Sequence, residues 1–434
     1  VFQDESYSSV INGGITIIVY TCGAMSDGFR KFVLDNGVRV LCEPLDHVQS
    51  VSIGIWCQTG SRDETPSEAG ITHLIEHMLF KGTPTRTSEQ IAQAIEGRGG
   101  YLNAFTTREE TCYYARVLSE DMANAVEVLG DMYANSLFDG SELELEKNVV
   151  QEEIRKGNDS PEELVHDLYH QNRWGTHPLG LPIIGTHESV GSFKREDLLG
   201  YTDRRYAAGT TFVCASGNLE PEALREATEK ALGGLHGSKP DRPQSVPKDN
   251  VGEFLKPHES EQVHFCIGGA GVKKGDERRH AAWVFDAVMG GSMSSRLHQE
   301  IREKRGLAYA VGSYLASYED AGTFVVYGGT NPARFKEVRA LVDLEFEKIR
   351  TVRVSDDELT RAKRMLKGGM VMGMESTSTR MRRLASNEMV FGEQIPIEEV
   401  VAKIDAVTSE EVMAVANDLV SSAVINTTAV GKFD

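Results

Sequence analysis

The stretch ITHLIEHMLF at 71–80 constrains this chain most. Ile71, Leu74, Ile75, Met78, Leu79 and Phe80 demand burial, yet His73, Glu76 and His77 sit among them. On a helix, residues four apart share a face, so His73 and His77 can chelate one ion, and Glu76 reaches the same side. Two surface histidines beside a solvated glutamate would give the same letters. The apolar neighbours argue against that, because polar groups carried into a buried setting need partners. A metal satisfies all three at once. The order H-x-x-E-H inverts the commoner zinc-protease motif. Neutral imidazoles suit zinc, with room left for a carboxylate ligand and a water.

A further protein ligand has to come from elsewhere. SELELEKNVVQEEIRK at 141–156 carries Glu146 and Glu153, seven apart and therefore on one helical face. One of them could bind the metal while the other orients a histidine. Spacing alone leaves that choice open. Glu142, Glu144 and Glu152 point elsewhere and are expected in solvent. A second pair, His166 and His170 in HDLYH, lacks a glutamate beside its second histidine and is expected to pack near Trp174.

The chain around these motifs alternates strands and helices. Phe32–Leu34 and Val38–Cys42 flank Asp35-Asn36-Gly37, which predicts a hairpin. Val51, Ile53, Ile55 and Cys57 predict a strand with one strongly apolar face. Thr65, Pro66 and Glu68 predict a capped helix start, with the helix running through Phe80 and stopping near Gly82. Similar capping pairs recur at Thr87/Gln90, Ser141/Glu144, Ser160/Glu163, Ser355/Glu358 and Thr408/Glu411. GGYLNAFTTREETCYYARV at 99–117 reads as two strands and a polar turn.

Residues 233–257 are rich in Gly, Pro, Ser and charge and read as the linker region. VSIGIWCQTGSRDE at 51–64 and VHFCIGGAGVKKGDE at 263–277 form a faint repeat across it, at an offset of about 210 residues. The second copy carries Ala282, Val284, Phe285 and Asp286 and no histidine pair. The division expected is an extension at 1–24, a zinc-binding domain at 25–235, a linker at 236–257 and a metal-free homologous domain at 258–434.

Length and charge narrow the function. A chain of 434 residues exceeds one compact core. A formal charge of −19 disfavours nucleic-acid or anionic-membrane partners. It would suit basic peptides, or be a solvated acidic surface. No apolar run approaches the roughly 20 residues of a membrane span. Six scattered cysteines (Cys22, Cys42, Cys57, Cys112, Cys214 and Cys266) fit reduced thiols in a bacterial-type cytoplasm. Residues 1–24 lack a basic leader segment, and Met25 reads as a more natural start.

At this point the sequence resembles the pitrilysin-type zinc peptidases, and among them the mitochondrial processing peptidase and its bacterial relatives. HLIEHMLFKGT at 73–83, HPLGLPIIGT at 177–186 and GGSMSSRLHQEIREKRGLAYAV at 290–311 carry the likeness, which spans roughly 28–430. The resemblance implies an α+β fold of two homologous halves, each a mainly antiparallel sheet with helices packed on it. It implies His73, His77 and Glu153 as ligands of one zinc per chain, Glu76 as the catalytic base and Glu146 as the carboxylate behind the ligands. Arg302 and Tyr309 match a family pair that contacts substrate and steadies the tetrahedral intermediate. Asn103 and Ala104 match the edge strand where substrate adds. The partners implied are unfolded peptides and a second copy of the chain, a homodimer in which each active site is completed by the other chain. The alternatives are a non-catalytic assembly subunit or an active subunit needing a zinc-free partner.

Overall fold

The computed structural model describes residues 8–12, 15–19, 28–242 and 245–433. In chain order its strands are β1 (Ser8–Asn12), β2 (Ile15–Val19), β3 (Arg30–Val33), β4 (Arg39–Pro44), β5 (Ser50–Cys57), β6 (Tyr101–Thr106), β7 (Thr111–Leu118), β8 (Thr211–Gly217), β9 (Gly252–Pro257), β10 (Val263–Ala270), β11 (Ala308–Ser317), β12 (Gly322–Thr330) and β13 (Asn426–Gly431). β1 and β2 pair as a two-stranded antiparallel sheet within the segment read as an extension; Cys22 and Met25 lie outside the described residues. Gly37 turns β3 into β4 at φ 92°, a backbone angle that favours glycine, so the hairpin forms where Asp35-Asn36-Gly37 predicts it.

The chain folds as two compact units. One holds the residues up to Glu152 with Ile183–Arg242 and Gly373–Pro396; the other holds Glu153–Pro182, Pro243–Met372 and Ile397–Asp434. The first boundary falls inside one unbroken helix, Gly140–Asp159.

The first unit contains a sheet in the order β3-β4-β8-β5-β7-β6. Only β4 and β8 run parallel. The expectation for β5 was one apolar face; the structure buries both. Helix Met122–Asn135 packs on β5 and β7. The opposite face, with Leu41, Trp56, Cys112, Phe212 and Cys214, meets Met381, Leu384 and Ala385 of helix Thr377–Phe391. The small residues of β5 belong to that second face. Ser52 Oγ is 2.9 Å from Thr377 Oγ1, and a Cβ on Gly54 would lie 2.4 Å from the Trp56 ring.

The second unit contains a sheet in the order β9-β13-β10-β12-β11, again with one parallel pair, β9 and β13. Strand for strand this repeats the first sheet without its outermost β3. β10 takes the central place of β5, so the repeat seen at 51 and 263 is a repeat of topology. The Gly- and Pro-rich segment is irregular at its described residues up to Val251 and then becomes edge strand β9. Helix Pro161–Trp174 covers this sheet: Leu164, Val165 and Tyr169 pack with Cys266, Val325 and Val430, and Tyr169 Oη lies 2.8 Å from Thr323 Oγ1. Each sheet is thus covered on one face by a helix from the other half of the sequence. Among the described residues no helix is long and apolar enough to cross a membrane.

Candidate metal centre

The helix that carries the histidines begins later than its capping signal predicts. Thr65 N–H does donate to Glu68 Oε2 at 3.0 Å, but Glu68 N–H returns to the Thr65 carbonyl oxygen at 2.9 Å and closes a single 3-10 turn, Pro66–Glu68. Gly70 then breaks the chain direction at φ 90°, and the helix runs Ile71–Leu79. Its first turn is capped by Glu64, whose carboxylate accepts from Gly70 N–H at 2.8 Å and Thr72 N–H at 2.9 Å. Burial pushes the Glu64 carboxyl up to about 8, against those two donors. Gly70 also lies against Gly185: a Cβ on Gly70 would sit 2.6 Å from the Ile184 carbonyl oxygen. The block HPLGLPIIGT therefore contributes the backbone on which this helix rests.

On the helix, the His73 and His77 rings lie 4.8 Å apart, centroid to centroid. Ligand atoms of His73, His77 and Glu153 all fall within 4.8 Å of one another. Among the described residues this is the one group of three or more His, Cys, Asp or Glu gathered closely enough to hold an ion. The donor set of two nitrogens and one carboxylate oxygen fits zinc. Burial, with His77 beside it, lowers the His73 pKa to about 4, so that imidazole is neutral at physiological pH, as a ligand must be.

Glu146 stands two turns earlier than Glu153 on helix Gly140–Asp159. That helix is capped by Asp139, which accepts from Ser141 N–H at 2.8 Å and Glu142 N–H at 3.2 Å, rather than by Ser141 itself. Glu146 Oε2 lies 3.0 Å from His77 Nδ1, and Glu146 Oε1 lies 2.5 Å from Lys81 Nζ. Burial pushes the Glu146 carboxyl up, but His77 and Lys81 outweigh it and hold its pKa below the usual value. The two carboxylates that spacing does not tell apart have different surroundings: Glu146 meets an imidazole and an ammonium, and Glu153 brings a carboxylate oxygen to within 4.8 Å of ring nitrogens of His73 and His77.

Glu76 Oε2 accepts a hydrogen bond from Thr106 Oγ1 at 2.5 Å. Thr106 closes β6, the edge strand of its sheet, which also carries Asn103 and Ala104. Asn103 is exposed, and the Ala104 N–H donates to Asn103 Oδ1 at 2.8 Å. Lys81, Glu64 and Thr106 were not singled out from the sequence. Lys81 lies four residues after His77, a signal open to inspection; Glu64 and Thr106 carry none.

Arg302 and Tyr309 form a pair of their own in the second unit. The Arg302 guanidinium lies over the Tyr309 ring at 5.2 Å from its centroid. Arg302 stands on a π-helical stretch, His298–Glu303, and its Nη1 is 3.1 Å from His298 Nε2. Tyr309 sits in a β-bulge between Ala308 and Val311 and is 81% exposed. Bulges re-aim side chains, and this one leaves a large aromatic ring facing water. His166 and His170 build no comparable cluster. His166 Nδ1 is 3.0 Å from Tyr314 Oη, and the His170 ring packs 5.5 Å from Trp174 at a tilt of 57°, in line with the packing role expected.

Known proteins resemble the chain along most of its length. Residues 39–187 match the insulinase model of peptidase family M16, and residues 192–366 match the M16 inactive-domain model. An uncharacterized zinc protease of Bacillus subtilis is 38% identical over 90% of this chain and 95% of the relative. The chain belongs to peptidase family M16. Another uncharacterized zinc protease, from Mycobacterium tuberculosis, is 39% identical to this M16 chain over 90% of it and 91% of the relative. Two solved structures share the M16 fold at 20% identity. A protease from Helicobacter pylori has a TM-score of 0.86, covering 93% of this chain and 99% of the other. A Pseudomonas fluorescens protein described as a peptidase M16 inactive domain has a TM-score of 0.88, covering 94% and 98%.

Proposed function

We propose that this chain is a zinc-dependent endopeptidase acting on unfolded peptides in a bacterial-type cytoplasm. One zinc per chain is held by His73, His77 and Glu153. The observation that carries the reading is the approach of these three donors to within 4.8 Å, two of them on the short helix that also bears the Glu76 carboxylate. When bound, zinc supplies Lewis acidity to a water and to the scissile carbonyl. Glu76 accepts the proton of the attacking water on its carboxylate and returns it to the leaving amine. Glu146 fixes the His77 ring through Nδ1, leaving the other nitrogen for the metal. Substrate adds as a strand along β6 beside Asn103 and Ala104, where main-chain hydrogen bonds read few side chains.

Arg302 and Tyr309 steady the developing oxyanion by charge and hydrogen bonding. In a homodimer that encloses a chamber, each chain supplies this pair to its partner's site. Along the sequence the metal-binding half is 25–235 and its metal-free counterpart 258–434, with 236–257 between them; the compact units cut across this division, since Glu153–Pro182 belongs to the second unit and Gly373–Pro396 to the first, and Gly252–Pro257 is strand β9. The five described cysteines are buried and free, as a reducing compartment keeps them.

The test is cleavage of a mixed library of unstructured peptides by the purified chain beside its Glu76→Gln variant, with zinc measured in both. Cleavage by the parent and none by the variant, at equal zinc, supports the proposal. No cleavage by either, with zinc bound and the protein folded, overturns it in favour of an assembly role or a missing partner.

A further inference from the structure

A hydroxyl ties Glu76 to the sheet beside its helix. Thr106 Oγ1 has one proton, and at 2.5 Å from Glu76 Oε2 it donates that proton to the carboxylate. The donor is well anchored. Thr106 is the last residue of β6 and pairs with Thr111 of β7, immediately before the turn at 107–110. That turn is itself fixed. Thr107 Oγ1 donates to the Glu110 carbonyl at 3.1 Å and accepts from the Glu109 and Glu110 N–H groups at 3.2 and 3.1 Å. Glu109 in turn meets the buried Arg62 at 2.6 Å. The backbone beneath Thr106 is therefore held from both sides.

Glu76 has a flexible side chain with three rotatable bonds, on a helix of nine residues. A carboxylate that must shuttle a proton needs one oxygen aimed at the reactant throughout the cycle, and small misplacements of such a group are costly. A hydroxyl donated to Oε2 fixes the plane of the carboxylate and so sets the direction in which Oε1 points. We propose that Thr106 is a positioning residue for the catalytic base. It holds Glu76 Oε2 so that Oε1 performs the transfer, and it links the base directly to the edge strand on which substrate docks. The inference rests on the peptidase reading, with Glu76 as base.

β6 is thereby given two tasks. Its open edge receives the peptide, and its final side chain aims the base. A substrate strand laid along Tyr101–Thr106 reaches the end of the strand where this hydrogen bond begins. Valine matches threonine in shape and cannot donate, while serine keeps the hydroxyl and loses a methyl group. The two substitutions therefore separate hydrogen bonding from packing.

The experiment measures kcat, KM and bound zinc for the purified parent, Thr106→Val, Thr106→Ser, Glu76→Gln and the Glu76→Gln/Thr106→Val double variant, on one unstructured peptide. For Thr106→Val we expect parental zinc, a KM within about twofold and a kcat lower on the order of 10- to 100-fold. Thr106→Ser returns kcat to within about threefold of the parent, and adding Thr106→Val to Glu76→Gln changes nothing further. A parental kcat in Thr106→Val overturns the inference, as does a loss explained by missing zinc or by KM alone, or a Thr106→Ser variant as slow as Thr106→Val. An inactive parent, or an active Glu76→Gln variant, instead overturns the peptidase reading beneath it.

Discussion

His77 Nδ1 and Glu146 Oε2 meet at 3.0 Å, and the other oxygen of the same carboxylate lies 2.5 Å from Lys81 Nζ. One carboxylate thus joins the two ends of a five-residue segment, His77 to Lys81, to the helix that also carries Glu153. A carboxylate held at Nδ1 favours the tautomer that leaves the other His77 nitrogen unprotonated, the form in which it would bind a metal. Glu146→Gln keeps the shape but removes the negative charge, and Lys81→Met removes the ammonium. We expect both to weaken zinc affinity on the order of 10- to 100-fold, read by competition with a chelator, with the fold intact by circular dichroism. Unchanged affinity in both would remove any tuning role for this triad.

Glu153 should behave differently from Glu146. As a proposed ligand its loss removes a donor outright, so Glu153→Ala is expected to purify with little zinc and no activity. Elemental analysis after dialysis checks this. A Glu153→Ala chain with full zinc beside a depleted Glu146→Ala chain would reverse the two assignments.

Tyr309 offers a separation of stability from activity. Its ring is 81% exposed, so Tyr309→Phe should change unfolding free energy by less than about 0.5 kcal/mol. If its hydroxyl steadies the oxyanion, kcat falls on the order of 100-fold while zinc content stays constant. Full activity in Tyr309→Phe would show that the hydroxyl is dispensable.

Glu64 predicts a pH effect on folding. Burial raises its carboxyl to about 8 in the folded chain, from an ordinary value of 4.5. Below 4.5 both states are protonated and this stabilising contribution is fully present. Between 4.5 and 8 the unfolded chain releases its proton first, so the contribution falls as pH rises and levels off above 8. Measured by urea unfolding, the stability of the parent minus that of Glu64→Gln should decline across this window. A flat or rising difference would mean that the Gly70 and Thr72 donors outweigh burial.

Gly70 is expected to tolerate no side chain. Gly70→Ala would place a methyl group at φ 90° and 2.6 Å from the Ile184 carbonyl, at a cost of about 2–4 kcal/mol in chemical unfolding. A loss below about 0.5 kcal/mol would mean that the Ile184–Gly185 backbone gives way freely.

Much of the candidate centre was legible in one dimension because helical periodicity is a local property. His73, Glu76 and His77 share a face by spacing alone, and so do Glu146 and Glu153. The strand–turn–helix repeat at 51 and 263 likewise pointed to two related sheets. Local signals misled where two elements competed for one segment. Thr65 and Glu68 pair as their letters say, yet the left-handed Gly70 inserts a break, and the helix start passes to Glu64. At Ser141 the cap belongs to Asp139, two residues earlier, because that carboxylate reaches both the Ser141 and Glu142 N–H groups.

By itself the sequence determined which residue types could bind and which faces they occupy, since both follow from bond geometry within a few turns of helix or strand. The tertiary structure decided how residues far apart in the chain were paired. It set Glu146 against His77 and Lys81, brought Glu153 to the two imidazoles, placed Thr106 under Glu76, and covered each sheet with a helix from the other half of the chain. These outcomes depend on closing loops of 30 residues or more, as with the 30 positions between Glu76 and Thr106. Such closures are chosen by the sum of all packing and hydrogen-bonding terms, and no local pattern encodes that sum.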